Sequence, residues 1–332
     1  VARIYFFGSP AHGHVNPTLP VVRELLARGH ETVYFCTEEF REKVERTGAE
    51  FRAYEDIVQD EALAFEISAA QIGNPFALAA LVTEGAELVL PPLVEHVKAD
   101  PPDFIVHDAV SLWGKIIGRI LDIPAASSTT TFAINSHVIV SWPAFQWSAV
   151  KMLLRQPFYL WRYWTACRRI RKRWGKDYLT LRQVALLDVF RTEEPLNLVY
   201  TSADWQPKAK SFPASYRFIG PCLRDLDQSP DFPWEALSRK PVLYISLGTI
   251  FHEAPGFYQA CVEAFRDWPG VVVMTVGSDE AAQALTGVPE HMVVRKFAPQ
   301  LALLPETDVF ITHAGMNSAS EALCAGVPLV AV

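Results

Sequence analysis

A strand–helix alternation runs twice along this chain, with a proline-rich charged segment between the two runs. Residues 2 to 7 form a short apolar run, 15 to 29 carry apolar residues at helical spacing, and TVYFC at 32 to 36 is strand-like again. FRAY at 51 to 54, a helical stretch ending near Val97, DFIVHD at 103 to 108, a helix near 110 to 121 and PAAS at 124 to 127 continue the pattern. Such an order predicts a parallel sheet covered by helices, because a parallel crossover needs an intervening element. From Ser141 to Leu187 the pattern changes to aromatic residues and arginine at helical intervals, an insertion-like region that need not belong to the sheet, and strand character returns at LNLVY, 196 to 200.

The second run begins with PVLYISLG at 241 to 248, followed by a helix near 255 to 267, VVVMTVG at 271 to 277 and MVVRKF at 292 to 297. DVFITHAG at 308 to 315 enters a helix near 316 to 325, and PLVAV starts another strand. The expected architecture is α/β, with two Rossmann-like domains facing each other across a cleft. Residues 1–223 form the first domain, 224–240 the linker and 241–332 the second. A chain of 332 residues has material for two cores, and its 50% hydrophobic content argues against disorder.

Net charge of -7 supplies no field for nucleic-acid phosphates, so nucleic acid is not an expected partner. Cys36, Cys167, Cys222, Cys261 and Cys324 are odd in number and lack the spacing of a metal site or disulfide framework, which predicts a cytoplasmic setting. The N-terminal apolar run is too short for a signal sequence, and no stretch of about 20 residues is continuously apolar, so no transmembrane segment is expected.

Ligands of doubly wound sheets bind beyond the C-terminal ends of the strands, which directs attention to four polar segments. They are GSPAHGHVNP at 8 to 17, HDAVS at 107 to 111, SLGT at 246 to 249 and THAGMNS at 312 to 318. In the first, His14 can serve as a general base, since imidazole titrates near neutrality. Asp108, at the end of a neighbouring strand, can orient that imidazole and stabilise its protonated form. An isolated histidine is ordinarily a loop or capping residue and an isolated aspartate a helix cap; the pairing favours the chemical reading. His107 should face the opposite side by strand alternation.

In the second half Ser246, Gly248 and Thr249 sit on a strand-to-helix loop, while Gly315, Asn317 and Ser318 open a helix. Exposed backbone N–H groups and the positive helix end suit both loops to phosphate. His313 directly follows a strand. Glu321 lies four residues after Asn317, where a carboxylate can accept from ribose hydroxyls. Phe297 can stack on a base and Gln300 bond its edge, although Phe297 alone would read as core.

THAGMNSASEALCAGVPLVAV, preceded by FAPQLALL, is similar to the donor-binding signature of glycosyltransferase family 1, and PAHGHVNPTLPVVRELLARGHETVYF resembles its N-terminal motif. Together they resemble the bacterial macrolide glycosyltransferase branch, in order and spacing over nearly the whole chain. The resemblance implies a GT-B fold and an inverting enzyme that needs no metal or other cofactor. Such an enzyme moves a sugar, expected to be glucose, from a UDP-sugar to a hydroxyl of a small hydrophobic acceptor such as a macrolide, flavonoid, other phenolic or steroid. By the same resemblance His14 and Asp108 match the catalytic dyad and His313 the pyrophosphate contact. Asn317 and Ser318 match α-phosphate contacts, Glu321 the ribose carboxylate, and Phe297 and Gln300 the base site. Ser246, Gly248 and Thr249 match a further phosphate loop.

Phe297 stands where the family commonly has Trp, which should reduce stacking area. The family continues past GVPLVAV into an acidic-Gln pair that holds sugar hydroxyls and then into C-terminal helices, so the second domain is expected to be incomplete. Two alternatives accompany the transferase reading: a GT-B-like sugar-nucleotide epimerase, and a UDP-binding or assembly component without turnover. Asp225-Leu226-Asp227 has the spacing of a metal-binding D-x-D, but its proline-rich context predicts solvated charge. Among the aromatics of 142 to 174, Trp142, Phe145, Trp161 and Trp164 are expected to line the acceptor site, and the accompanying cations leave room for transient membrane contact.

Overall fold

A computed structural model describes residues 1–58, 74–142, 147, 151, 157–175, 193–223, 229, 231–248 and 254–332. The chain divides into two compact units, Val1–Cys222 and Leu223–Val332.

The first unit holds a seven-stranded sheet in the order β3-β2-β1-β4-β5-β6-β7. Its strands are β1 (Arg3–Phe7), β2 (Glu31–Cys36), β3 (Glu50–Ala53), β4 (Phe104–Asp108), β5 (Ala125–Thr129), β6 (Leu196–Val199) and β7 (Tyr216–Phe218). Every pairing is parallel. Alternation along β1 explains why its sequence is apolar throughout. Tyr5 and Phe7 enter one core with the Pro75–Ala99 and Leu112–Ile120 helices, while Ile4 and Phe6 enter another with the Leu19–Ala27 helix. Phe7 and Phe35 stack across β1 and β2 at a centroid separation of 4.8 Å.

The Pro75–Ala99 helix starts cleanly because Asn74 accepts from the backbone N–H groups of Phe76 and Ala77 at 3.1 and 3.2 Å. By length and composition its Phe76–Ala99 stretch is apolar enough to cross a membrane, yet Val89, Leu90, Leu93, Val94 and Val97 are buried in the unit's own core. The described part of the insertion-like region is helical and contributes no strand to the sheet. The Pro157–Trp174 helix packs on Pro75–Ala99, and Tyr163, Cys167 and Ile170, spaced at helical period, join the core that covers the sheet.

The second unit holds a five-stranded parallel sheet in the order β10-β9-β8-β11-β12. Its strands are β8 (Val242–Ser246), β9 (Val271–Thr275), β10 (Met292–Arg295), β11 (Val309–Thr312) and β12 (Leu329–Ala331). Val242 and Tyr244 pack into one core, Leu243 and Ile245 into the other. The expected linker is divided: Phe232 and Leu237 are buried in the second unit's core, whereas 224–228, with the D-x-D triplet, lies outside the described residues.

Both sheets reverse strand order at one place, between β1 and β4 and between β8 and β11. In doubly wound sheets such a switch point is where the loops leaving neighbouring strands diverge and where ligands bind. All four polar segments singled out in the sequence leave these strands.

Candidate functional site

In the first unit, β1 ends at Phe7 beside His107 of β4, so the loop after β1 and the residues closing β4 are neighbours by register. Gly8 is required at the start of that loop, since a Cβ there would stand 2.6 Å from Cε1 of Tyr34. Its N–H donates to Phe35 O at 2.9 Å and its carbonyl accepts from the Tyr54 hydroxyl at 2.9 Å, which pins the loop between β2 and the helical turn after β3. The chain then turns through His12–Val15, and His14 returns toward β4.

His14 Nδ1 lies 2.8 Å from Oδ2 of Asp108. The other carboxylate oxygen, Oδ1, accepts from Ser9 Oγ at 3.0 Å and from the backbone N–H of Val110 at 2.9 Å. Ser9 is in turn 2.9 Å from Ser111 Oγ. The Asp108 side chain is 3% exposed and that of His14 25%, so a buried carboxylate holds a ring that remains accessible. Burial opposes protonation of His14, but the charge of Asp108 and its hydrogen bond outweigh it and raise the imidazole pKa above the ordinary 6.5. With Nδ1 engaged by the carboxylate, proton transfer falls to Nε2. Thr130, just after β5, brings its hydroxyl to 3.2 Å from the same Nδ1. Ser9 and Ser111 lie inside two of the polar segments noted in the sequence without a role of their own, and Thr130 lies outside all four; its signal is the polar run SSTTT, which closes β5 and continues past its end.

His107 stands apart from this pair. Its ring is buried 3.5 Å from Glu194, and its Nδ1 donates to the Asp108 carbonyl at 3.1 Å. Trp142, Trp161 and Trp164 also lie outside the hydrogen-bonded cluster, at 37%, 62% and 39% exposure. Phe145 lies outside the described residues.

In the second unit, Ser246 of β8 is the register partner of Thr312 of β11, which places SLG beside THAGMNS. Ser246 Oγ accepts from the Gly248 N–H at 3.3 Å. Gly248 adopts φ +74°, and a Cβ at Gly248 or Gly315 would overlap the His313 ring, so the two glycines form a slot around that imidazole. Burial holds the His313 pKa below the ordinary 6.5. Ala314 follows with φ 56°, an uncommon conformation for a residue with a Cβ, and turns the chain into the Met316–Ala325 helix. Asn317 and Ser318 occupy the first turn of that helix, which carries no acidic residue. Thr249 lies outside the described residues.

One turn further, Glu321 Oε2 accepts from Gln300 Nε2 at 2.5 Å, and the same amide is 3.3 Å from Ser318 Oγ. The carbonyl side of Gln300 accepts from the Tyr244 hydroxyl at 3.2 Å, so a buried tyrosine sets which way the amide faces. Tyr244 was also not singled out from the sequence, where it reads as one more apolar strand residue. Phe297 is 59% exposed, with the Lys296 ammonium 5.7 Å from its ring centre; it is not a core residue. Each unit therefore presents one polar cluster at its sheet's switch point. The first combines a partly exposed imidazole with a buried carboxylate, and the second combines glycine-bearing loops and a helix start with a carboxylate, an amide and an exposed ring.

Residues 229–332 match the family described as UDP-glucoronosyl and UDP-glucosyl transferase. The NDP-glycosyltransferase YjiC of Bacillus subtilis is 32% identical over 327 residues, covering 97% of this chain and 77% of that relative. The demethyllactenocin mycarosyltransferase of Streptomyces fradiae is 32% identical over 345 residues, covering 100% and 71% respectively. Among solved structures, the glycotransferase of kitacinnamycin superposes with TM-score 0.79 at 25% identity, covering 100% of this chain and 80% of that one. The chain belongs to the UDP-glucosyl transferase family, glycosyltransferase family 1, and is a glycosyltransferase of the GT-B fold.

Proposed function

We propose that the protein transfers a sugar, glucose in the first instance, from a UDP-sugar to a hydroxyl of a small hydrophobic natural product, with inversion at the anomeric carbon and without a metal ion. The observation that carries this reading is the 2.8 Å contact between a buried Asp108 carboxylate and a His14 side chain that remains 25% exposed. In the proposed step His14 Nε2 takes the proton of the acceptor hydroxyl as its oxygen attacks the anomeric carbon. The bond from that carbon to the β-phosphate oxygen breaks, UDP leaves with the electron pair, and Asp108 stabilises the imidazolium formed.

The second unit's role follows from its donors. The N–H groups at the start of the Met316–Ala325 helix, the Ser246–Gly248 turn and a neutral His313 face developing negative charge on the pyrophosphate, with Asn317 and Ser318 at the α-phosphate. Glu321 accepts from ribose hydroxyls, while Phe297 and Gln300 meet the base. Relatives named for oleandomycin, demethyllactenocin and demethylrebeccamycin favour a natural-product acceptor. The free cysteines, three of them buried, suit a reducing compartment such as the cytoplasm.

The test is incubation with UDP-glucose in the presence and absence of a panel of macrolide, flavonoid and steroid alcohols. UDP release that requires an acceptor, with a β-linked product, supports the proposal. Conversion of the sugar nucleotide without acceptor indicates an epimerase. UDP binding by calorimetry with no product indicates a binding component.

A further inference from the structure

The outer face of the Pro157–Trp174 helix takes no part in either polar cluster. Its inner face is fixed: Tyr163, Ala166, Cys167 and Ile170 are buried, and two arginines tie it to the neighbouring Pro75–Ala99 helix. Arg162 Nε donates to Glu84 Oε1 at 2.9 Å and Arg169 Nε to Glu87 Oε1 at 2.6 Å. The orientation of the helix is thereby set, and what points outward is held there.

Two chemistries share that outward stripe. Over the first two turns Phe158, Trp161 and Trp164 are 59%, 62% and 39% exposed, with the Phe158 and Trp161 rings stacked at 6.1 Å. Over the last two turns come Arg168, Arg171, Lys172 and Arg173. Among the described residues no acidic side chain pairs with these four. The helix has six cations and no acidic residue in a chain whose net charge is -7, so the positive charge is concentrated here against the overall balance.

We propose that this face docks on an anionic phospholipid surface, with the helix lying in the interfacial plane. Exposed indole and phenyl rings beside a cluster of cations match the two layers such a surface offers. The rings sit at the level of the glycerol backbone and the cations reach the headgroup phosphates. An acidic protein surface would match the cations but leave three large aromatic rings without an apolar counterpart, which is why lipid is the occupant argued for. Contact at this face would bring the enzyme to the layer where apolar alcohols partition.

The test is flotation of the wild-type protein with vesicles of phosphatidylcholine alone or mixed with phosphatidylglycerol, at low and high salt. Two double variants accompany it, Trp161→Ser with Trp164→Ser and Arg168→Glu with Lys172→Glu, each checked by thermal unfolding. Each cation near an anionic surface strengthens binding about fivefold. The charge reversal should therefore weaken binding to phosphatidylglycerol vesicles by at least about 25-fold, and salt should act in the same direction. The serine pair should lose about tenfold or more and abolish the blue shift of tryptophan emission that accompanies vesicle binding. The proposal is overturned if wild-type protein ignores phosphatidylglycerol vesicles, or if both folded double variants bind them like wild type. It is equally overturned if the serine pair changes only the KM for a water-soluble acceptor, or if the face captures only acidic proteins.

Discussion

His14 Nδ1 and Asp108 Oδ2 are 2.8 Å apart although 94 positions separate them in the chain. The contact exists because β1 and β4 are register neighbours at the switch point of the sheet, so that the loop leaving one strand returns over the end of the other. The proposed chemistry makes His14 the base. His14→Ala should lower kcat about 10²–10⁴-fold, the usual range for loss of a general base, while UDP affinity measured by calorimetry stays unchanged. Turnover near the wild-type rate would falsify the assignment.

The pH profile follows from the direction of the His14 shift. Burial opposes the imidazolium, the Asp108 charge and hydrogen bond favour it, and the balance lies above 6.5. A base must be neutral to accept a proton, so kcat/KM should rise with pH along an acid limb centred above 6.5. The stability contribution has the opposite sense: it is full below the unfolded histidine value and is lost as pH rises through the raised folded value. Asp108→Asn removes the raising influence, so the acid limb should move to lower pH while kcat falls by about 10²–10⁴. An acid limb that stays in place in this variant means that another group titrates.

Gly248 and Gly315 separate backbone strain from steric displacement of His313. Gly248→Ala adds left-handed strain, about 1–2 kcal/mol, to its overlap with the imidazole, because the residue sits at φ +74°. Gly315 has φ -56°, so Gly315→Ala acts by overlap with the ring alone. Both should weaken UDP binding, and Gly248→Ala should lower the thermal midpoint by several degrees more than Gly315→Ala. Calorimetry beside differential scanning fluorimetry checks the pair, and unchanged UDP affinity in both variants counts against His313 as the pyrophosphate contact.

Glu321 is held at 2.5 Å by Gln300, whose amide is in turn set by the Tyr244 hydroxyl. If Glu321 accepts from ribose as proposed, Glu321→Ala should cost about 1.5–3 kcal/mol, which corresponds to roughly 10- to 100-fold weaker UDP binding. The same substitution should leave acceptor KM near its wild-type value. Equal affinity for UDP and uracil-free pyrophosphate in the wild type would show that this cluster does not read the nucleoside.

Phe297 is 59% exposed, so enlarging its ring meets no packing limit. Phe297→Trp should tighten UDP binding about two- to fivefold by adding stacking area worth about 0.5–1 kcal/mol. Competitive inhibition by UDP against UDP-glucose measures it, and weaker inhibition would show that the ring does not meet the base.

The two parallel sheets and the loops that carry polar residues were legible in the sequence. Strands buried on both faces read as continuous apolar runs such as YFF in β1 and VLYI in β8, and a polar residue immediately after such a run can only stand at the strand's end. Tertiary structure alone decided what lies against what. Ser9, Ser111 and Thr130 gather around Asp108 and His14, and Tyr244 turns the Gln300 amide, because strands distant in sequence become neighbours in register. It also decided the Pro157–Trp174 helix, whose aromatic residues are indistinguishable by composition. Tyr163 is fully buried and Trp161 is 62% exposed, two residues apart, because at 100° per residue only one side of a helix can meet the sheet's covering layer.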